Sequence, residues 1–177
     1  GMKRYFDVLG ATIILAVAAP FMCLIALALS VGGGPVFFSQ ERLGAGGKPF
    51  KCFKFRTMVP DAERRLAEYL ASNPEYQEEW RTTCKLKNDP RVTWLGWFLR
   101  RSSMDELPQL LNVLRGAMSL IGPRPDSPPF VQQLGRVIPF YNARSCVKPG
   151  LTGWAQVTFP YGASVEHARE KLAYDLS

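Results

Sequence analysis

With a single histidine, His167, this sequence cannot supply much of the chemistry that histidine usually serves. A Ser–His–Asp arrangement has one candidate base, and a zinc site would lack clustered ligands. His167 reads as a helix-surface residue. The four cysteines (Cys23, Cys52, Cys84 and Cys146) are far apart and contain no CxxC pair. That spacing argues for reduced thiols in a cytosolic setting and against a disulfide framework. There is no internal repeat and no low-complexity linker. The glycine-rich LGAGGKP at 43–49 lacks the Lys-Ser/Thr ending of a phosphate loop, so it reads as a turn. Charge is missing altogether from 11–31, ATIILAVAAPFMCLIALALSV.

The chain has 177 residues, enough for one domain with a real core. Gly1 and Met2 look like a tag remnant ahead of a start or truncation point. The net charge is +7 and is unevenly spread. Residues 61–81 hold Asp61, Glu63, Glu68, Glu75, Glu78 and Glu79 against Arg64, Arg65 and Arg81, a net of −3, which leaves +10 elsewhere. So basic a body suits nucleic acid, an acidic membrane surface or a phosphorylated substrate, and charge alone does not choose among them.

The uncharged run covers 21 positions, or about 30 Å as a straight helix, enough to cross a bilayer. It is longer than a signal-peptide core, and no small-residue cleavage site follows it. Pro20 lies near its midpoint, where a break is expected because proline removes a helical hydrogen bond. Each half then matches one leaflet. Lys3 and Arg4 precede the run, and Arg42, Lys48, Lys51, Lys54 and Arg56 follow it. Basic residues on both sides favour keeping both ends in the cytoplasm. A straight transmembrane helix, a buried core helix and a re-entrant hairpin remain as readings, and the proline and the flanks favour the last. A soluble nucleic-acid binder, which basic and aromatic interleaving would otherwise suggest, has no use for such a run.

Beyond the glycines at 32–34, the segments 35–42 and 49–58 read as two strands of a small hairpin. Residues 61–82 suggest a polar helical arm interrupted near Asn73–Pro74. The stretch 91–101, RVTWLGWFLRR, fits either an interfacial segment, with Trp94 and Trp97 at headgroup depth, or ordinary core packing of Trp94, Trp97 and Phe98. Helices are expected over about 105–115 and 164–176, the second with Val165, Ala168, Leu172 and Leu176 on one side.

Asp105 and Glu106 adjoin in RRSSMDELPQLLNVL, and Pro108 is tolerated only in a first helical turn. A helix start there suits phosphate. Arg100 and Arg101 lie just upstream, and Gly122-Pro123-Arg124-Pro125 adds an arginine on a stiff backbone. A carboxylate pair with arginines could hold a divalent metal and a phosphate. Ser103-Met104-Asp105-Glu106 also fits a plain capping box, S-x-x-E.

Seven blocks run in one order along most of the chain. They are KRYFD (Lys3 to Asp7), GPVFFSQERLG (Gly34 to Gly44), GKPFKCFKFRTM (Gly47 to Met58), NDPRVT (Asn88 to Thr93), FLRRSSMDELPQLLNVLRG (Phe98 to Gly116), MSLIGPRP (Met118 to Pro125) and KPGLTGWAQV (Lys148 to Val157). Together they resemble the bacterial sugar transferases, the monotopic polyprenyl-phosphate phosphoglycosyl transferases. The acidic arm and the ending PYGASVEHAREKLAYDL are more similar to the longer, exopolysaccharide-type members. Those often carry further N-terminal transmembrane helices, so the resemblance is compatible with an excised catalytic domain and leaves open whether such helices precede this sequence.

The resemblance implies an α+β fold: a single, mostly helical domain with a small β-hairpin and an N-terminal re-entrant membrane helix kinked at Pro20. Residues 2–33 would form that helix and 34–177 the cytosolic catalytic part, with the polar arm 61–82 inside it. The activity implied is transfer of a sugar 1-phosphate from a UDP-sugar to undecaprenyl phosphate, releasing UMP. Asp105 would be nucleophile and Mg²⁺ ligand, and Glu106 a metal ligand or helper base. Arg100 and Arg124 would contact phosphate, with Lys54 and Arg56 as further candidates. The implied place is the cytoplasmic face of the bacterial inner membrane, among membrane lipids, with no nucleic acid. The oligomeric state stays open, a homodimer included, and so does the sugar. A membrane-anchored scaffold that keeps the fold without the chemistry is the alternative, against which the intact Asp105-Glu106 and GPRP argue. Two departures stand out: Ala19-Pro20 replaces the usual Ser-Pro at the hinge, and Gly116-Ala117-Met118-Ser119 replaces GDMS, whose missing acid we read as structural.

Overall fold

The computed structural model describes residues 1–83, 85–158 and 165–176. Cys84, the stretch 159–164 and Ser177 lie outside them, so one cysteine and the expected start of the last helix at Ser164 do too. Cys23, Cys52 and Cys146 are free thiols.

The chain opens with a helix, α1 (Met2–Val31), assigned without interruption through Pro20. Pro20 has no N–H to donate to the carbonyl of Ala16, so one helical hydrogen bond is lost there. One face of α1 turns inward at Asp7, Ala11, Leu15, Ala18, Met22, Ile25 and Leu29, a spacing close to 3.6 residues. The other faces expose Phe6, Leu9, Ile13, Val17, Leu24 and Leu27. The helix is therefore apolar all round, and only one side of it meets protein.

An antiparallel hairpin follows, β1 (Phe37–Leu43) and β2 (Pro49–Phe55), in register Phe38 to Lys54 and Gln40 to Cys52. Its turn is a short 3-10 segment, Ala45–Gly47, in which Gly46 and Gly47 take positive φ, a conformation glycine adopts without steric cost. The polar arm is two helices, α2 (Ala62–Ser72) and α3 (Glu75–Thr83), broken at Asn73–Pro74 as the sequence suggests. Next come α4 (Trp94–Arg101), a 3-10 turn (Met104–Glu106) and α5 (Gln109–Arg115). Two short strands, β3 (Ser119–Ile121) and β4 (Gly150–Thr152), pair in parallel around α6 (Pro128–Val137). The described chain ends with α7 (Trp154–Thr158) and α8 (Val165–Leu176).

Three apolar clusters hold these elements. Ala11, Cys52, Leu110, Val113 and Met118 join α1, β2 and α5. Leu29, Phe55 and Leu99 join the far end of α1 to β2 and α4, with Met22 and Ile25 packed alongside. Val131, Leu134, Ile138, Tyr141 and Leu172 seat α8 on α6. Polar contacts pin both ends of α1 to the same body. Arg4 donates to the carbonyls of Val113 and Leu114, in the last turn of α5, where a cation is favoured. Buried Asp7 accepts from the Ser119 hydroxyl at 2.9 Å and the Leu120 N–H at 3.0 Å. At the other end the Arg56 guanidinium donates to the carbonyls of Gly33 and Leu29.

Trp94, 83 % exposed, lies on the outer side of α4 together with Trp97 and Phe98, while Gly96 and Leu99 face inward. Core packing of the three aromatics is thus not what the fold uses. Instead α4 presents an aromatic face with the Arg101 guanidinium 5.5 Å from the Trp97 ring.

Candidate active site

Asp105 sits in the 3-10 turn between α4 and α5 and is 8 % exposed. The chain reaches it through Ser103, whose φ of 58° is left-handed. A non-glycine residue there is strained by about 1 to 3 kcal/mol, a kind of strain that gathers at functional sites. The Ser103 side chain makes no capping hydrogen bond, so the capping-box reading has no counterpart in the fold. The α-helix proper starts at Gln109, one turn later than the sequence suggests. What presents Asp105 is therefore the tight turn ahead of the helix.

The two adjoining carboxylates are treated differently. Glu106 Oε1 accepts from Lys54 Nζ at 2.9 Å and from Arg124 Nη2 at 2.9 Å. Burial works to raise its pKa, but Lys54 and Arg124 outweigh it and hold the carboxyl below its usual value. Among the described residues no cation pairs with Asp105 in the way that Lys54 and Arg124 pair with Glu106. Burial pushes its carboxyl above the ordinary range, while Lys54 and Arg100 pull the other way and Glu106 adds to the rise. Glu106 is locked into place as a charge anchor, whereas Asp105 lines the cavity without a paired side chain among the described residues.

The sequence candidates separate accordingly. Lys54, from β2, and Arg124, from the turn after β3, meet on Glu106. Arg100 projects from α4 beside them, its Nε donating to Thr57 Oγ1 at 2.8 Å. These residues and Asp105 line one open cavity of about 980 Å³. Arg56 also lines the cavity, and two of its guanidinium nitrogens cap the carbonyls ending α1. Pro20 is remote from this chemistry, within α1.

Sequence reasoning missed several supports. Thr57 holds Arg100, and its carbonyl accepts the Thr93 N–H at 3.1 Å. Gly96 packs so closely there that a Cβ would collide with the Thr57 carbonyl. Asn112 ties α5 to β2 by accepting from the Phe53 N–H and donating to the Lys51 carbonyl. Arg144 donates to the Arg124 carbonyl at 3.0 Å, to Asp126, and to Asp175 of α8 at 2.8 Å, which fixes the arginine turn from behind. None of these carries a local spacing signal, since each partner is distant in the chain.

Among the described residues no cluster of three or more His, Cys, Asp or Glu side chains could cage a metal. A single open carboxylate fits the other mode, in which Mg²⁺ takes one or two carboxylates, substrate phosphates and water. Asp105 meets that description. Glu106, with Oε1 already taken by two cations, meets it less well. A carboxylate that lines the same cavity of about 980 Å³ as Lys54, Arg100 and Arg124 is suited to binding a diphosphate and attacking phosphorus.

The sequence profile of the bacterial sugar transferase family matches residues 1–177. The exopolysaccharide production protein ExoY of Rhizobium meliloti (strain 1021) is 47 % identical over 157 residues, covering 88 % of this chain and 68 % of that protein. The undecaprenyl-phosphate galactose phosphotransferase of Salmonella typhimurium is 43 % identical over 89 % of this chain and 32 % of its own length. The UDP-glucose:undecaprenyl-phosphate glucose-1-phosphate transferase of Escherichia coli (strain K12) is 41 % identical over 99 % of this chain and 35 % of its own. The chain thus spans about two thirds of the first and about a third of the other two. With the match running from end to end, the chain belongs to the bacterial sugar transferase family.

Proposed function

We propose that this chain moves a sugar 1-phosphate from a UDP-sugar to undecaprenyl phosphate, releasing UMP, by way of a covalent Asp105 intermediate. The observation that carries the reading is the asymmetry of the dyad: Glu106 gathers Lys54 and Arg124, while Asp105 lines the cavity beside them with no ion pair among the described residues. The names of the relatives supply the acceptor and the donor class.

In the first half, a carboxylate oxygen of Asp105 attacks the β-phosphorus of the donor. The bond from that phosphorus to the bridging oxygen breaks, and UMP leaves with the bridging oxygen and the electron pair. Lys54, Arg100 and Arg124 offset the charge on the equatorial oxygens and orient the diphosphate. Asp105 would hold Mg²⁺, which when bound offsets further diphosphate charge. In the second half, a phosphate oxygen of the lipid attacks the same phosphorus, and the Asp105 carboxylate is released. The lipid phosphate is an anionic nucleophile already, so no strong base is required, and Glu106 is free to act as the anchor for its two cations.

We further infer that α1 dips into one leaflet and returns, leaving the body on the cytoplasmic face. Its inward stripe touches that body from Asp7 to Leu29, and both ends are tied to it. A straight span would carry Arg4 and the α5 carbonyls it binds to opposite sides of the membrane. The outward aromatics of α4 suit the headgroup zone. A screen of UDP-sugars, following UMP release with and without undecaprenyl phosphate, tests the function. Sustained release only with the lipid supports the transfer; a purified, folded chain silent with every donor would leave the scaffold reading in its place.

A further inference from the structure

The cavity over Asp105 has two chemically unlike parts. One is cationic, with Lys54, Arg100 and Arg124 around the carboxylates. The other is apolar and includes Pro35, Phe37, Phe38 and Met58. Phe37 and Phe38 are 53 % and 51 % exposed, unusual for two consecutive phenylalanines in a strand. Phe37 stacks on the buried Phe55 ring at 5.3 Å, on the hairpin face opposite Phe38. Phe38 is paired with Lys54 in the hairpin register, which puts ring and ammonium on one face. Lys54 in turn reaches Glu106, so the apolar wall abuts the charged centre directly.

The wall also begins where α1 ends. Leu27 and Val31 leave that helix exposed, Val31 at 84 %, and no charged residue intervenes before Glu41. An anionic head beside a long apolar tail is the ligand shape this arrangement complements. A uracil ring would stack on phenylalanine as well, but its polar edge needs partners. Gln40, the amide that lines the cavity, has its Oε1 engaged by Arg42 Nη2 at 2.7 Å, which leaves only its NH2 group to meet such an edge.

We propose that Phe38 forms the acceptor wall, along which the first isoprene units of the lipid phosphate lie while its phosphate is held at Lys54. This rests on the transfer reading above. Discharge then proceeds with the phosphate oxygen bonding to phosphorus as the acyl-phosphate bond to Asp105 breaks, with no redox change and no further reactant.

The two half-reactions separate acceptor from donor, and full-length protein in lipid nanodiscs allows each to be timed. Phe38→Ser removes the apolar contact, and Phe38→Leu restores apolarity without an aromatic face. We expect Phe38→Ser to slow discharge by limiting undecaprenyl phosphate about tenfold more than it slows aspartyl adduct formation. We expect Phe38→Leu to recover most of that loss. The preference of wild type for undecaprenyl phosphate over a short-chain prenyl phosphate should narrow in Phe38→Ser. Equal rates in all three proteins would overturn the proposal. So would a loss confined to adduct formation that leucine fails to rescue, the result a nucleobase platform gives. Should wild type itself form no adduct, the transfer reading falls and the acceptor wall falls with it, an outcome recognisable because the unmutated protein is the silent one.

Discussion

Thr57 carries more of the site than its position at the end of a strand suggests. Its hydroxyl accepts from Arg100 Nε, and its carbonyl receives α4 through the Thr93 N–H. The first contact aims a guanidinium at the cavity; the second keeps α4 against β2. Thr57→Val preserves shape and the carbonyl and removes only the acceptor. Donor affinity should then weaken about 5- to 10-fold, the effect of about 1 to 1.4 kcal/mol, with little change in Tm. Thr57→Ser should restore it. In an Arg100→Ala background Thr57→Val should have no added effect, because its target is gone. Titration of UDP in the presence of Mg²⁺ reads wild type and all four variants, and additive losses would show that Thr57 acts otherwise than through Arg100. The contacts that make the dyad unequal were invisible beforehand for a simple reason. Lys54 and Arg124 converge on Glu106 from separate elements, and no spacing rule records that convergence. Arg56, two residues beyond Lys54, likewise gave no sign in the sequence that it would cap the carbonyls ending α1.

At the scale of elements, what was legible had a local cause. The hairpin follows from its glycine turn, and the break between α2 and α3 from Asn73–Pro74. The last helix followed from its apolar spacing, with Ala168 and Leu172 facing the core. The parallel pair β3–β4 was not legible, because each strand has three residues and its partner lies some thirty positions away. The late start of α5 was missed because Pro108 permits a helix start without saying which residue begins it. NDPRVT is a structural turn. Asp89 accepts from the Arg91 backbone at 3.0 Å and pairs with its guanidinium at 2.6 Å, while Arg91 also lies over Trp80. Burial tends to raise the Asp89 pKa, but the Arg91 side-chain and backbone hydrogen bonds prevail and hold it below the usual carboxylate range. A carboxyl lowered on folding adds stability that is complete above its unfolded value, about 3.9, and is lost as pH falls through the folded value. Asp89→Asn should therefore cost about 1 to 3 kcal/mol near neutrality. Urea unfolding of both proteins should show that gap constant from about pH 7 to 5 and shrinking only below about pH 4. A gap that closes near pH 6 would assign the loss to some other group.

For the whole molecule, the placement of α1 sets where everything else stands. If the helix re-enters, cysteines placed at Lys3 and at Gly46, with the natural cysteines replaced, should both react with an impermeant thiol reagent only from the cytoplasmic side. Labelling of the Lys3 site from the periplasm would contradict the re-entrant arrangement and leave the chemistry to be judged separately. That chemistry has one direct test. Wild-type protein given a UDP-sugar and Mg²⁺ but no lipid should release about one equivalent of UMP or less, as expected of one nucleophile per chain. Intact-protein mass spectrometry should then find one added sugar-phosphate mass, mapping to Asp105 and discharged by undecaprenyl phosphate. Asp105→Asn keeps the size but makes a poor nucleophile, so turnover should fall by about three orders of magnitude or more, with no adduct. An unmodified wild-type chain that still turns over, or an Asp105→Asn protein with full activity, would contradict the covalent mechanism.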